Sequence, residues 1–549
     1  MRIGPRAAWT VAFAAVFAAL AAFVFWGAWS PDFAPVMPDC AITHPRDHVA
    51  RWFADFLHTG KFSPVDLLRF PDPYLVQELQ YAVCLFLAAL GMAWLCRSRG
   101  LSRLAGFSAG LLLAFSGYWI TLFSAGHLGW FQWMSCGVFV FAFADRAAGK
   151  GGAGNWVGLG ATAAWASFNQ QDMWLLFSIF AFAFFVYRLV CERKFPWRGI
   201  LLAAAVFAAI GLPNFAETLT GVIAGRKAQI EGFEKATAAR DGAAAKSSED
   251  RQWEFVTNWS MPPEDALEFF LPRVHGDTSC PLALSVARQA GRDLKPYTGS
   301  LGRPMGAPSG NYRQHSLYVG AVTCVFALVA VVALFAGLRR RGEGMSRRMP
   351  RGAGFFAAAA LVFFALSLGR HFEPAYRIVY ALPFGDLIRC PVKWHHLTEF
   401  CLAVLAAYGI DSLRSFRPLA GRAGAAAIAA AVLLGAVHLA SEAHRFCAPV
   451  SVRAARKAGT QADLTILGRE DFANPQVAEM VRRGVIVSVA GYFANPSAAY
   501  VVEVLKPFQP MNPPKPSPAA IATGVFSVIC TLAAGAFLLS STRKSFCGD

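Results

Sequence analysis

The chain has 549 residues, of which 56% are hydrophobic and only 15% are charged, and Phe alone occurs 47 times. Soluble domains carry about 25% charged residues, so this composition excludes a disordered chain and a small disulfide scaffold and argues against a water-soluble enzyme. The net charge of +17 would suit a nucleic-acid binder, so the placement of the charges has to decide that question.

Apolar segments long enough to cross about 30 Å of hydrocarbon recur along the chain, and we predict twelve membrane spans. The first segment could be a cleaved signal peptide, but it runs well past the short apolar core of such peptides, which favours a retained anchor. The predicted spans are 8–28, 75–95, 104–122, 128–144, 154–169, 172–190, 198–213, 317–337, 353–368, 394–410, 423–440 and 518–540.

Basic residues follow the rule that short cytoplasmic loops are rich in Lys and Arg. With the N-terminus in the cytoplasm, the cytoplasmic segments and their flanks hold 22 basic and 5 acidic residues, and therefore the whole net charge of +17. Both termini are then cytoplasmic, and nucleic acid is excluded as a partner because these are short loops beside lipid headgroups. The segments are 1–7, 96–103, 145–153, 191–197, 338–352, 411–422 and 541–549.

The long segments between spans all fall on the outer side of the membrane. Residues 47–57 show helical spacing of apolar side chains and predict a surface helix, and residues 263–271 predict a second short helix. Runs rich in β-forming residues at 484–493 and 498–505 predict a hairpin. The outer segments are 29–74, 214–316, 369–393 and 441–517.

The predicted fold is therefore an all-α polytopic membrane protein with a small exoplasmic α/β segment near the C-terminus. Its parts are a membrane domain over 1–440, an exoplasmic segment over 441–517, and a last span with a cytoplasmic tail over 518–549. Four cysteines fall outside the membrane, and the sequence leaves open whether they are free or form one of three pairings. These cysteines are Cys40, Cys280, Cys390 and Cys447.

Acidic, basic and imidazole side chains crowd the first outer segment directly after the first span. Asp39 and Asp47 are candidate catalytic carboxylates, and His48 and Arg51 are candidates to line the same pocket. A carboxylate at the membrane surface can accept a proton from an acceptor hydroxyl or amide while a phosphate leaves. The alternative is a solvated loop with ordinary surface charges.

A second cluster lies in the outer segment 369–393. Arg370, Arg377, Arg389 and Lys393 are candidates to bind the phosphate of a lipid-linked donor, because guanidinium groups bind phosphate in bidentate geometry and Lys adds a point charge. The alternative is that these cations only anchor the helix ends at the membrane surface.

Two short outer turns add His127 and Asp172, which could line the same cavity as Asp47. Glu399 lies five residues into its span, and we expect it to pair with Lys393 or His396. The sequence holds no phosphate-binding loop, dinucleotide fingerprint or serine-hydrolase motif, and no cytoplasmic loop is long enough to fold around a nucleotide. Any activated donor is therefore expected to be lipid-linked.

Several short stretches, in a characteristic order, resemble the YfhO-like family of polytopic bacterial membrane proteins and, more broadly, the GT-C class of glycosyltransferases. The stretches are R-C-P-V-K-W at 389–394, L-A-A-Y-G-I-D at 405–411, W-S-M-P-P-E at 259–264 followed by Leu271-Pro272 and Gly276, L-P-N-F-A-E at 212–217 and S-L-Y-V-G at 316–320.

This resemblance implies transfer of a sugar from a polyprenyl-phosphate donor to an envelope glycan, lipid or protein, at the outer face of the bacterial inner membrane. It also implies a catalytic acid in the first outer loop, here Asp47 or Asp39. Asp47 is preferred because 47–52 reads as an acid followed by an Arg and an aromatic residue, although position 48 is His where the class often has a second acid. The need for a divalent metal is left open.

Two other functions fit the same sequence. A transporter or flippase for lipids or envelope precursors would also have twelve spans and both termini inside, although transporters usually bind substrate at broken helices near the bilayer midplane. A non-catalytic protein of envelope assembly would use the outer loops to bind partners.

Overall fold

A computed structural model describes about two thirds of the chain, chiefly its helices. The described residues are 5–25, 33–34, 73–124, 127–169, 171–211, 247–279, 293–301, 315–339, 348–382, 388–414, 421–447, 450–451, 465–467, 488–489, 500–503 and 518–547, with positions 228, 231, 284, 288, 313 and 385.

The described chain is mostly helical. Each of the twelve apolar segments predicted from the sequence coincides over most of its length with helix in the structure. The α-helices are α1 (Pro5–Val24), α2 (Pro73–Ser98), α3 (Arg103–Ala114), α4 (Gly117–Thr121), α5 (Leu128–Lys150), α6 (Ala153–Ser167), α7 (Gln171–Glu192), α8 (Trp197–Gly211), α9 (Ser248–Val256), α10 (Ala321–Arg339), α11 (Arg348–Ser367), α12 (Glu373–Tyr380), α13 (Trp394–Arg414), α14 (Arg422–Cys447) and α15 (Pro518–Cys547).

Three of the described helices are long and apolar enough to cross a membrane: Gln80–Ser98 of α2, Asp172–Glu192 of α7 and Arg422–Phe446 of α14. A fourth candidate is α11 taken together with the segment Gly369–Tyr380, which bends away from it by 113°. Shorter apolar helices occupy Ala8–Val24, Arg103–Ala114, Trp197–Gly211, Ala321–Ala336 and Val525–Ser540.

Helix α7 exposes a continuous stripe of large apolar side chains. The stripe advances by three or four residues at each step and so lies on one face of the helix. Exposed apolar patches of this size are unfavourable in water and are typical of a face in contact with lipid. The stripe consists of Leu175, Ile179, Phe182, Val186 and Val190.

Polar clusters lie at both ends of the helix bundle. At the end that we call the basic end, Asp145 forms ion pairs with Arg99 at 2.9 Å and Arg188 at 2.5 Å. At the opposite end, the Lys393 end, Lys393 is paired with Asp172. Asp172 and Arg188 belong to the same helix, 16 residues apart in the sequence, so about 24 Å separates the two ends. This is close to the roughly 30 Å of a bilayer core.

Short strands accompany the helices. β1 (Phe33–Ala34) pairs antiparallel with β2 (Val450–Ser451), which brings the first outer segment next to the chain that follows α14. β3 (Thr465–Leu467), β4 (Ser488–Val489) and β5 (Tyr500–Glu503) form a second sheet in the order β3-β5-β4. β4 and β5 run antiparallel, the arrangement that the predicted hairpin requires.

The outer segments differ in how far the structure describes them. Residues Pro263–Phe269 form a 3-10 helix at the position of the predicted helix 263–271. The predicted surface helix 47–57 lies outside the described residues. Two further 3-10 turns, Gly369–Phe372 and Pro391–Lys393, precede α12 and α13.

Candidate functional site

The ion pair between Lys393 and Asp172 joins two residues that the sequence placed in different clusters. Lys393 ends the 3-10 turn before α13, and Asp172 lies in the first turn of α7. The Lys393 ammonium donates a hydrogen bond to Oδ2 of Asp172. The two side chains are 15% and 21% exposed, so the pair is partly accessible from the Lys393 end, and we call this position the mouth.

The buried ring of Trp130 lies beside this ion pair. The Lys393 Nζ is 5.8 Å from the ring centroid, within the range of a cation–π contact. The imidazole of His127 lies 6.1 Å from the same ring, centroid to centroid. Lys393 and His127 therefore lie against one indole, and Asp172 is joined to this group by its ion pair with Lys393.

Beneath the mouth, the predicted span 104–122 is broken into α3 and α4 at Phe115 and Ser116. Glu399 from α13 stabilises the break: its Oε1 accepts hydrogen bonds from the Ser116 hydroxyl at 2.5 Å and from the Tyr118 backbone N–H at 3.2 Å. The Gly117 N–H donates to the Tyr318 carbonyl at 2.8 Å. Backbone groups freed by the break thus find partners on other segments.

Buried imidazoles surround Glu399. The ring of His396 stacks on Tyr118 with the centroids 3.9 Å apart and the planes at 9°. Its Nδ1 is 3.8 Å from Oε2 of Glu399, and His395 Nε2 is 3.7 Å from Oε1. Glu399 therefore approaches His396, as the sequence predicted, whereas Lys393 is committed to Asp172.

Several polar atoms in this buried region have no hydrogen-bond partner among the described residues. They include both ring nitrogens of His396, Nε1 of Trp130 and Nε2 of His315. His315 lies before α10, and burial, together with the nearby charge of Arg313, lowers the pKa of His315 well below its usual range. Unpaired polar atoms are costly in a buried site, and a bound water or substrate would satisfy them.

The predicted phosphate-binding arginines lie around the short helix α9. Arg370 donates to the carbonyls of Thr257 at 3.0 Å and Glu254 at 3.1 Å. Arg377 lies 3.8 Å above the ring of Trp253. The structure therefore places these two cations against α9, and Lys393 against α7 and Trp130.

Among the four predicted phosphate-binding cations, Arg389 has the fewest polar contacts to other described residues. Its guanidinium lies 4.6 Å above the ring of Phe255, and its Nε has no hydrogen-bond partner among the described residues. Within the part of the chain that the structure describes, it forms no ion pair with a carboxylate, whereas Arg377 lies 3.7 Å from Glu373. The backbone between Arg389 and Lys393 is held by Cys390 N–H and Val392 N–H, which donate to the carbonyls of Val256 and Trp259.

A buried charge network that the sequence did not single out lies around Arg313, in the chain before α10. Arg313 is 1% exposed and pairs with Glu268, with Asp265 at 3.7 Å and with the face of Tyr297 at 4.2 Å. The Tyr297 hydroxyl donates to Asp265 at 2.6 Å. Burial raises the pKa of Asp265, against the opposing effects of the Arg313 charge and the Tyr297 hydrogen bond. Asp265 and Glu268 on the predicted helix 263–271 were the available signal.

The remaining predicted site residues lie in parts of the chain that the structure does not describe. Asp39, Asp47, His48 and Arg51 lie outside the described residues, as do Cys40 and Cys280. The thiol of Cys390 is free. Among the residues that the structure describes, no group of three His, Cys, Asp or Glu side chains is arranged to hold a metal ion.

Comparison of the chain with family models, with curated proteins and with solved structures finds no match.

Proposed function

We propose that the protein is an integral-membrane glycosyltransferase of GT-C-like architecture in the bacterial inner membrane. It moves a sugar from a polyprenyl-phosphate donor to an envelope acceptor at the exoplasmic face, and it has twelve spans with both termini in the cytoplasm. Helices on all twelve apolar segments, the lipid-facing stripe of α7 and the layer of about 24 Å between the two polar ends support this topology. The Lys393 end is then exoplasmic.

The observation that carries the proposal is the position of Lys393, paired with Asp172 at the open mouth and four residues from Arg389, which has no carboxylate partner among the described residues. A phosphate that enters this mouth competes with Asp172 for the Lys393 ammonium and takes a second cationic contact from Arg389. Binding of the donor would thus release the Asp172 carboxylate into the mouth. Arg370 and Arg377 would hold α9 in place behind Arg389.

The transfer itself needs one general base and one leaving phosphate. The base, Asp47 or Asp39 by resemblance to the GT-C class, accepts the proton of the acceptor hydroxyl or amide. The acceptor atom forms a bond to the anomeric carbon as the bond from that carbon to the phosphate oxygen breaks. The electron pair leaves with the polyprenyl phosphate, whose charge Arg389 and Lys393 stabilise.

The experiment is a transfer assay in membranes that contain the full chain and a radiolabelled polyprenyl-phosphate sugar. Native protein is compared with Asp47→Asn, Asp39→Asn and the double variant at equal expression. Loss of transfer in one single variant supports the mechanism and assigns the base. Full transfer in the double variant would exclude both carboxylates as the base, and no transfer by native protein with any common donor sugar would contradict the function.

A second candidate function, a lipid or envelope-precursor transporter, is favoured by one specific observation. The break between α3 and α4, with the buried carboxylate of Glu399 at it, is the kind of discontinuity at which transporters bind substrates. The discriminating measurement is substrate uptake into proteoliposomes by Glu399→Gln and by the Asp47 and Asp39 variants. Uptake that survives the Asp variants and is lost in Glu399→Gln would favour transport. A non-catalytic assembly protein would show neither transfer nor uptake.

A further inference from the structure

A cavity of about 410 Å³ opens at the basic end of the bundle, opposite the Lys393 end. Its polar lining comes from Arg103 at the start of α3 and Arg414 at the end of α13, with the indole of Trp9 from α1 beside them. Its apolar lining comes from Leu104 and from three alanines in the first two turns of α14. These alanines are Ala425, Ala426 and Ala429.

Three features of this cavity favour an anion. Arg103 and Arg414 contribute two guanidinium groups, and Arg414 forms no ion pair with a carboxylate among the described residues. The cavity also lies beside the first two turns of α14, and the start of a helix attracts negative charge. The start of α3 does not add to this, because Ser102 caps it and donates its N–H and its hydroxyl to the carboxylate of Asp411. The site therefore combines the positive charge of two side chains with that of one helix end.

The apolar half of the lining and the position of the cavity identify the kind of anion. The three alanines in the lining belong to α14, a helix apolar enough to span a membrane. A partly exposed Trp at 41% exposure is typical of the level of lipid headgroups. Basic pockets between helices at the cytoplasmic side of a membrane bind anionic headgroups.

We infer that this cavity is a binding site for an anionic phospholipid of the cytoplasmic leaflet, with its phosphate between Arg103 and Arg414 and an acyl chain along Ala425, Ala426 and Ala429. The inference concerns the end of the bundle away from the proposed transfer site. It depends on the proposed orientation of the helices and not on glycosyltransferase activity.

The test measures lipid binding to the purified full chain in detergent by native mass spectrometry. Phosphatidylglycerol, phosphatidylcholine and inorganic phosphate are titrated separately. Phosphatidylglycerol is expected to bind more tightly than phosphatidylcholine, and Arg414→Gln or Arg103→Gln to weaken its binding about fivefold each. Arg198→Gln is the matched control, because Arg198 lies 5.2 Å over the ring of Trp197 on the neighbouring helix α8 and does not line the cavity.

A second variant separates binding from folding. Ala426 is exposed, so Ala426→Leu should fill part of the cavity without disturbing the helix bundle. Because Arg103 and Arg414 are both retained in this variant, reduced phosphatidylglycerol binding would report on the apolar half of the site. Equal binding of both lipids, or wild-type phosphatidylglycerol affinity in the Arg103→Gln, Arg414→Gln double variant, would overturn the inference. Inorganic phosphate that binds as tightly as phosphatidylglycerol would overturn the assignment to a lipid. None of these results changes the transfer assay, so the two proposals fail separately.

Discussion

Lys393 and Asp172 form an ion pair although 221 residues separate them in the sequence. The pair ties the start of α7 to the start of α13, next to the ring of Trp130. Both side chains are mostly buried, so removing one partner would leave the other charge poorly compensated.

Substitutions of the two partners should shift donor affinity in opposite directions. Lys393→Met removes a charge-assisted contact to the phosphate and should raise the KM for the polyprenyl-phosphate sugar about tenfold. Asp172→Asn removes the competitor for the ammonium and should lower the KM. Steady-state kinetics on matched membrane preparations measures both.

The control for that pair of variants is Arg377→Gln, which removes a half-exposed cation packed on Trp253 at the far side of α9. It should change the KM less than Lys393→Met. If Lys393→Met and Asp172→Asn both raise the KM equally, the ion pair is structural and does not exchange with phosphate.

Helix positions could be predicted from the sequence because they depend on local composition and on the thickness of the bilayer. The partner of Lys393 could not, since it depends on how α7 and α13 pack. The break at Ser116 was missed because the apolar pattern continues through it, and the groups that satisfy it, Glu399 and Tyr318, come from distant segments. Likewise, no local signal shows that Arg370 is bound to backbone carbonyls.

Glu399 should stabilise the protein as a hydrogen-bond acceptor, and its negative charge should not be required. Glu399→Ala leaves the buried Ser116 hydroxyl and Tyr118 N–H without an acceptor and should cost about 2–4 kcal/mol. Glu399→Gln keeps an amide oxygen as acceptor and should cost less than about 1 kcal/mol. Thermal unfolding in detergent measures both, and equal destabilisation by the two variants would contradict the hydrogen-bonding role.

Arg313 should be among the positions most sensitive to substitution in the described chain. Its removal leaves Asp265 and Glu268 buried without a counterion, so Arg313→Met should cost about 3–5 kcal/mol. Asp265→Asn and Glu268→Gln in the Arg313→Met background should restore part of the loss, because the uncompensated charges are then absent. Unfolding in denaturant measures the series, and a loss unchanged by the two neutral substitutions would point to lost packing instead.

The proposed topology predicts which positions are accessible from outside the cell. In a variant without reactive native cysteines, single cysteines at Lys61, Arg240 and the exposed Glu249 of α9 should react with an impermeant thiol reagent. Cysteines at Arg347 and at the exposed Gly421 before α14 should react only after the membrane is opened. Labelling of Gly421→Cys in intact cells would refute the orientation and with it the assignment of the basic end to the cytoplasm.

Gly409 should be required for the close packing of α13 on α10. It belongs to the stretch 405–411 that carries the family resemblance, and a Cβ at this position would overlap the backbone carbonyl oxygen of Phe326. Gly409→Ala must therefore push the two helices apart, at a cost of about 1–3 kcal/mol. Gly535→Ala in α15 is the matched control, because a Cβ there meets no heavy atom within 4 Å, and it should not lower thermal stability, since Ala favours a helix more than Gly does. Equal thermal stability of both variants would show that α10 and α13 can move apart without losing stability, which would contradict the requirement for Gly409.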